Sequence, residues 1–496
     1  MRRLPPPLSK PPTRILARNR MSGINLYTES ILPPPKSIQD DTKQESRFIL
    51  SSNTVSPPKE KIQTKQFLIE RPPSHDPLAL LPTPEQKPLP PRPKRVRAAS
   101  VLPRIIGPLP PPQFVVPPSP TCQASASLEA EIDILVNQPT FAASQENLNA
   151  IEDARQRIEA IIKEIVPEVE EVVLFGSGSS TVMSSNSDLD FCLILRCFDN
   201  GDSYIRPTTA LSRLQLFFDY CHQEQDLITV DRFVDSARVP VLKCHAMLPI
   251  WSPEQIGSAE PNTKVSFDIV ASNFLGVQNS RLIRTYTECD ERVRLFLLLV
   301  KKWAKGWGIA DAKEKTLSSY GWNMICLSYL QACTPPIIPN LQSEAYIAAS
   351  NPDLVVDLDI EGGECRFSRD AQPWKSRAPG LLPNPDDPLQ TEDPRPVNTT
   401  SLAQLFVNFM EFLSNFYTNE IAFSIKHGAL CTTASIKHLL VRQWVLPPFV
   451  IVDPLEIGRN VGVSISEDQK VLSAIKQTFA KILDGSHLSS ILSNPS

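Results

Sequence analysis

Proline decides where this 496-residue chain can fold. Of its 49 prolines, 27 lie before residue 121, in runs such as Pro5-Pro6-Pro7, Pro33-Pro34-Pro35 and Pro110-Pro111-Pro112. Each removes a backbone donor and fixes φ, so neither helix nor sheet propagates through them. Residues 1–125 are therefore expected to form a disordered arm with polyproline II character. Charge divides at the same place. The first 120 residues hold 19 Lys and Arg against 8 Asp and Glu, a net +11, whereas the whole chain carries −4 and the remainder −15. A basic arm on an acidic body suits contact with nucleic acid or an acidic partner; a solvated linker is the alternative reading.

Ten cysteines occur without CxxC pairs, and the apolar run Leu295–Val300 is far too short for a membrane span. No secretory pattern is evident, so a soluble protein of a reducing compartment is expected. Cys221-His222 and Cys244-His245 lack finger spacing, and zinc is not expected there. The expected compartment is the cytoplasm. Arg92-Pro93-Lys94-Arg95-Val96-Arg97 offers a nuclear alternative, and the arginine-rich first twenty residues a weaker mitochondrial one, opposed by their prolines.

Beyond the arm, helical spacing of Leu148, Ile151, Ala154, Ile158, Ile162 and Ile165 behind Ser144 predicts a helix that Pro167 ends. Strands are expected at 172–175, 188–195, 233–242 and 265–270, with a polar loop at 246–263. The pattern then turns helical at 282–303, 322–332, 402–416 and 467–483, the last behind a cap at Ser466. Residues 367–400, rich in Pro, Asp and Ser, read as a long loop or insertion. A small α/β domain at 126–275 is thus followed by a helical one at 276–496.

The chemistry concentrates in the α/β part. Side chains at i and i+2 of a strand share a face, which puts Asp188 and Asp190 together while Leu189 points to the core. Two carboxylates that close stay ionised cheaply only with a cation between them. Mg²⁺ suits such a pair, because it takes one or two carboxylates plus phosphate oxygens. A third carboxylate, Asp268 in the apolar run Val265–Val270, allows two ions about 3.5–4 Å apart, the spacing for in-line displacement at phosphorus. Gly176 lets the backbone approach a phosphate, and the Ser177 hydroxyl with the following N–H groups can bind its oxygens. Gly-Ser or Asp-x-Asp alone is weak evidence. Together with a strand-borne third acid they point to metal-assisted nucleotidyl transfer.

Phe175-Gly176-Ser177 followed by Asp188-Leu189-Asp190 resembles the signature of the DNA polymerase β-like nucleotidyltransferase superfamily. Within it, residues 268–331 resemble the non-canonical poly(A) polymerases and terminal uridylyltransferases. The matching pieces include Asn279-Ser280, Asp290-Glu291-Arg292, Val300-Lys301-Lys302-Trp303-Ala304-Lys305 and Leu317-Ser318-Ser319-Tyr320-Gly321. Asp453-Pro454-Leu455-Glu456 and Asn460-Val461-Gly462 look like the family's closing nucleotide-side motif. The resemblance covers about residues 145–485. It implies an α/β (α+β) nucleotidyltransferase catalytic domain with a mixed sheet, plus a mainly helical poly(A)-polymerase-associated domain.

It also implies roles. Asp188, Asp190 and Asp268 would hold two Mg²⁺ (or Mn²⁺) ions. Asn279 would contact the ribose 2′-OH and base, Lys301 and Lys305 the β- and γ-phosphates with Ser319 assisting, and Tyr320 would stack on the base. Lys301 and Lys305 are i and i+4, so both leave one helical face. Uridylyltransferases of the family typically carry His where this chain has Arg459. Arginine donates and never accepts, so it can meet the O4 of uracil or a ring nitrogen of adenine, with a slight lean to UTP; swung into solvent, it would leave a site that takes ATP. The implied activity is template-independent addition of ribonucleotides from UTP or ATP to RNA 3′ ends, with protein partners reached through the Pro-rich arm. A strict poly(A) polymerase and a catalytically idle scaffold are the alternatives.

Overall fold

A computed structural model of the chain describes residues 114–494 except 185–186, 196–206, 224–227, 238, 249–262, 361–362, 377–396, 416–419, 437–448 and 457. Most of the expected disordered arm, most of the 367–400 loop and most of the 246–263 loop thus lie outside the described residues. The arm's last stretch, 114–125, is described, and it straps the helical lobe. Val115 N–H donates to Leu430 O at 2.9 Å, and the Thr121 and Cys122 N–H groups donate to the Glu411 carboxylate. Helix α1 (Ala126–Val136) follows and packs with that lobe, not with the sheet beside it in sequence.

Helix α2 (Gln145–Ile165) forms where its apolar spacing predicts, behind a reciprocal cap: the Ser144 hydroxyl accepts from Asn147 N–H, and Asn147 Oδ1 from Ser144 N–H. Strand β1 (Val169–Phe175) runs into a short helical turn, α3 (Gly176–Ser179), and then β2 (Leu189–Leu195). After α4 (Pro207–Gln223) come β3 (Ile228–Val234), β4 (Val241–Leu248) and β5 (Thr263–Ala271). The single strand expected at 233–242 is therefore a hairpin. Its apolar residues lie on both sides of a turn that ends at Pro240, so composition alone ran the two strands together.

The sheet order is β1-β2-β5-β4-β3, with β2 and β5 parallel and the other pairs antiparallel. Period 2 sorts its residues. Leu189, Phe191, Leu193, Phe267, Ile269 and Leu242 join the core under α2 and α4. Val173, Cys192 and Val270 face the other way and pack with Val277 of α5 (Phe274–Cys289). Asp190, Asp268 and Lys243 alternate onto that second face.

The run expected at 282–303 is two helices. Asp290 interrupts it, accepting from Arg292 N–H at 2.9 Å to cap α6 (Glu291–Gly306). Then come α7 (Ser319–Ala332), α8 (Glu344–Ala349), the hairpin β6 (Val355–Ile360) with β7 (Gly363–Ser368), and α9 (Gln372–Lys375). The start of the expected 367–400 loop is therefore regular. Helix α10 (Leu402–Ser414) precedes β8 (Ile421–Ser424), β9 (Ala429–Thr432), α11 (Thr433–Ile436) and β10 (Val450–Ile451), a second sheet ordered β10-β8-β9. The chain closes with α12 (Asp468–Leu483) and α13 (Leu488–Ile491). Ser466 does not cap α12; its N–H donates to Lys315 O, and Glu467 stands at the cap position.

Aromatic rings knit this lobe. Phe409 of α10 is fully buried, with its ring 5.4 Å from Phe296 of α6 and 5.1 Å from Tyr329 of α7. Truncating it leaves a cavity among three helices. Phe409→Ala is expected to lower unfolding free energy by about 3–5 kcal/mol, read from urea denaturation.

Candidate active site

A row of side chains crosses the five-stranded sheet. Phe175 is registered with Asp190, Asp190 with Asp268, Asp268 with Lys243, and Lys243 with Arg232. The parallel pairing of β2 and β5 sets the two acids side by side from distant parts of the chain. Asp188 sits just before β2 and is exposed, so it approaches from the rim rather than from the strand itself.

The field there is acidic. Burial pushes the Asp190 carboxyl up to about 7, and the neighbouring Asp268 and Asp188 push in the same direction against Lys243 and Lys301. A cation beside Asp190 would relieve that repulsion, so the donor set fits a divalent metal. Among the described residues, no three His, Cys, Asp or Glu side chains already converge on one point. The two oxygens of Asp268 accept instead from Lys243 Nζ, at 2.8 and 2.7 Å.

Gly176 lies against Asp190. Its φ is +66°, and a Cβ there would sit 2.1 Å from Asp190 Oδ2. Its N–H is already used, donating to Ser280 Oγ at 2.8 Å, while the Ser280 hydroxyl donates to Gly276 O. The Gly-Ser turn is thus pinned to the first turns of α5. Ser177 follows it, partly exposed.

Helix α6 supplies the lysines. Lys301 is half-buried and its Nζ donates to Val182 O at 3.1 Å, while Lys305 lies one turn on and is exposed. Burial, reinforced by Lys305, brings the Lys301 ammonium down to about 8, with Asp190 pulling the other way. Two turns earlier on α6, Arg294 donates to Thr181 O at 3.0 Å and Ala143 O at 2.7 Å.

The remaining expected residues form a connected chain. Tyr320 OH donates to Asn279 Oδ1 at 2.9 Å and lies 3.5 Å from Asp453 Oδ2. Asp453 is buried, and its Oδ1 accepts the Leu455 and Glu456 N–H groups. Arg459 Nη1 donates to Asp453 Oδ2 at 3.0 Å and to Glu456 Oε2 at 3.2 Å. The guanidinium therefore does not swing into solvent: two carboxylates hold it. Ser319 opens α7 beside Tyr320, with Ser318 rather than Ser319 capping the helix.

Sequence reasoning missed three participants: Lys243, Arg294 and Asp453 as the anchor of Arg459. Lys243 carried a weak signal, a lone cation inside the apolar strand pattern Val241-Leu242-Lys243-Cys244.

Residues 128–288 match the family model described as the central palm domain of mitochondrial-like poly(A) RNA polymerase. The resemblance to these nucleotidyltransferases holds. Human terminal uridylyltransferase 7 is 27% identical over 350 residues, covering 69% of this chain and 20% of that protein. Poly(A) RNA polymerase GLD2-B of Xenopus laevis is 32% identical over 190 residues, covering 38% of this chain and 33% of that protein. The chain thus spans at most a third of the length of either relative. A structure of the Cid1 poly(U) polymerase with MgGTP bound superposes with a TM-score of 0.52 at 23% identity, covering 71% of this chain and 95% of that one. The palm and its mixed sheet have the Cid1 fold.

Two outcomes follow from the geometry around the palm. Gly176→Ala must displace Asp190, and an ångström of misplacement costs on the order of 10²-fold in rate, to be measured as primer extension per unit time. Lys301 is charged below about 8 and neutral above it. Nucleotide affinity in a fluorescence titration should therefore fall several-fold as pH rises through about 8, and stay flat there in Lys301→Arg, which remains charged.

Proposed function

We propose that the protein transfers a nucleoside monophosphate from UTP or ATP to the 3′-OH of RNA, without a template, releasing pyrophosphate. The observation that carries this reading is the registered pair Asp190–Asp268 with Gly176 packed onto Asp190. Asp188, Asp190 and Asp268 would hold Mg²⁺ or Mn²⁺, two ions in all, which when bound lower the pKa of the attacking hydroxyl and neutralise the departing pyrophosphate. The chain's own groups do the rest. Lys301 and Lys305, on one helical face, neutralise phosphate oxygens, with Ser319 at the start of α7 nearby. Asn279 and Tyr320, held together by their hydrogen bond, form the wall for ribose and base.

UTP is the favoured donor. Arg459 presents donors, and the carboxylates that would serve an exocyclic amine are engaged with Arg459 and the backbone. ATP is the second reading, supported by the similarity to a GLD2 poly(A) RNA polymerase.

A labelled oligo(A) RNA incubated with Mg²⁺ and each NTP alone should lengthen with UTP, less with ATP, and not at all in Asp188→Ala/Asp190→Ala. No extension with any NTP would leave the fold as a scaffold. Arg459→His should move the UTP/ATP rate ratio further towards UTP. An unmoved ratio would place that side chain outside the base pocket.

A further inference from the structure

Lys243 does not belong to the expected constellation, yet it touches one of its three acids. Strands β4 and β5 set it directly opposite Asp268, and its ammonium contacts both carboxylate oxygens at 2.7 and 2.8 Å. Those are the oxygens that a metal shared with Asp190 would need. The pair is wet: the two side chains keep 36% and 24% of their exposure, which makes the contact easily exchanged. The four-carbon stem of lysine can also swing away without moving the strand.

We propose that Lys243 is a positioning residue: the resident counter-ion of Asp268 in the nucleotide-free protein, occupying the place of a divalent cation until a substrate phosphate draws it off. This rests on the metal reading of Asp190 and Asp268 above. A single positive charge keeps the acidic row tolerable while the cleft is empty. Once phosphate oxygens arrive they offer the ammonium an alternative partner, and Asp268 is released to an ion of twice the charge. Metal loading at Asp268 is thereby coupled to substrate arrival.

The test is Mn²⁺ binding to the nucleotide-free protein, followed by electron paramagnetic resonance, in wild type, Lys243→Met and Lys243→Gln. Both variants should bind Mn²⁺ about five-fold more tightly, the modest factor expected from removing an exposed competing ion pair. The gain should vanish when Asp268→Asn is added. Mn²⁺ should also raise the melting temperature of Lys243→Met more than that of wild type, because ligand binding to the native state stabilises it. Unchanged or weaker Mn²⁺ binding in both variants overturns the proposal, as does a gain that survives Asp268→Asn. Failure of the underlying metal reading shows elsewhere, as RNA extension that persists in Asp190→Asn.

Discussion

The parallel pairing of β2 with β5 is the constraint on which the site depends. Parallel neighbours need a long crossover, and here the chain from 196 to 262, carrying α4, β3 and β4, returns to lay β5 beside β2. That crossover sets Asp190 next to Asp268. It also inserts β4 on the far side of β5, which delivers Lys243 to the same row. Apolar residues that alternate with these polar ones anchor the strands in the core beneath, so a one-residue slip would bury the acids and expose Phe191 and Ile269. The hydrophobic pattern therefore enforces an electrostatically unfavourable cluster, and Asp190 is pushed up to about 7, first by burial and then by Asp268 and Asp188.

The cations that temper that cluster come from two directions. Lys243 comes from within the sheet and Lys301 from the helical lobe. Helix α6 also holds the segment after the Gly-Ser turn through Arg294, whose donors reach Thr181 O and Ala143 O. Thr181 has a φ of 62°, a left-handed conformation that costs a non-glycine residue roughly 1–3 kcal/mol unless its surroundings hold it. Arg294 on its carbonyl and Thr287 on its hydroxyl do so. Loop geometry after the Gly-Ser turn is thus set from two helices, α5 through Thr287 and α6 through Arg294.

The acids were legible because period 2 is a strong local signal, and Asp268 stood out in an otherwise apolar strand. Helix α2 and its Ser144 cap were legible for the same reason, periodicity joined to a capping residue. The break at Asp290 was not, since apolar spacing continues from α5 into α6 without a lapse and only the cap marks the boundary. Strands β3 and β4 merged because their apolar residues flank a turn six residues long whose composition is unremarkable apart from Pro240. Lys243 escaped for a subtler reason. Its meaning lies in the register with Asp268, and cross-strand register is a property of the assembled sheet rather than of any window of sequence.

Arg459, beside Asp453 and Tyr320, shows the same limit. Read alone, an arginine in place of histidine has two fates, a contact with the base or retreat into water. The buried Asp453 excludes the second, because removing its cation would leave a carboxylate in low dielectric with two backbone donors on one oxygen and only the Tyr320 hydroxyl, 3.5 Å away, beside the other. Burial already pushes that carboxyl up, and the Glu456 and Leu455 N–H groups with Arg459 hold it back. The guanidinium is therefore obliged to stay. A fixed cation whose anionic neighbours are spent offers donors and few acceptors, and the proposed preference for UTP over ATP rests on that. Selectivity in this reading comes less from a new attraction to uracil than from the acceptor that adenine fails to find.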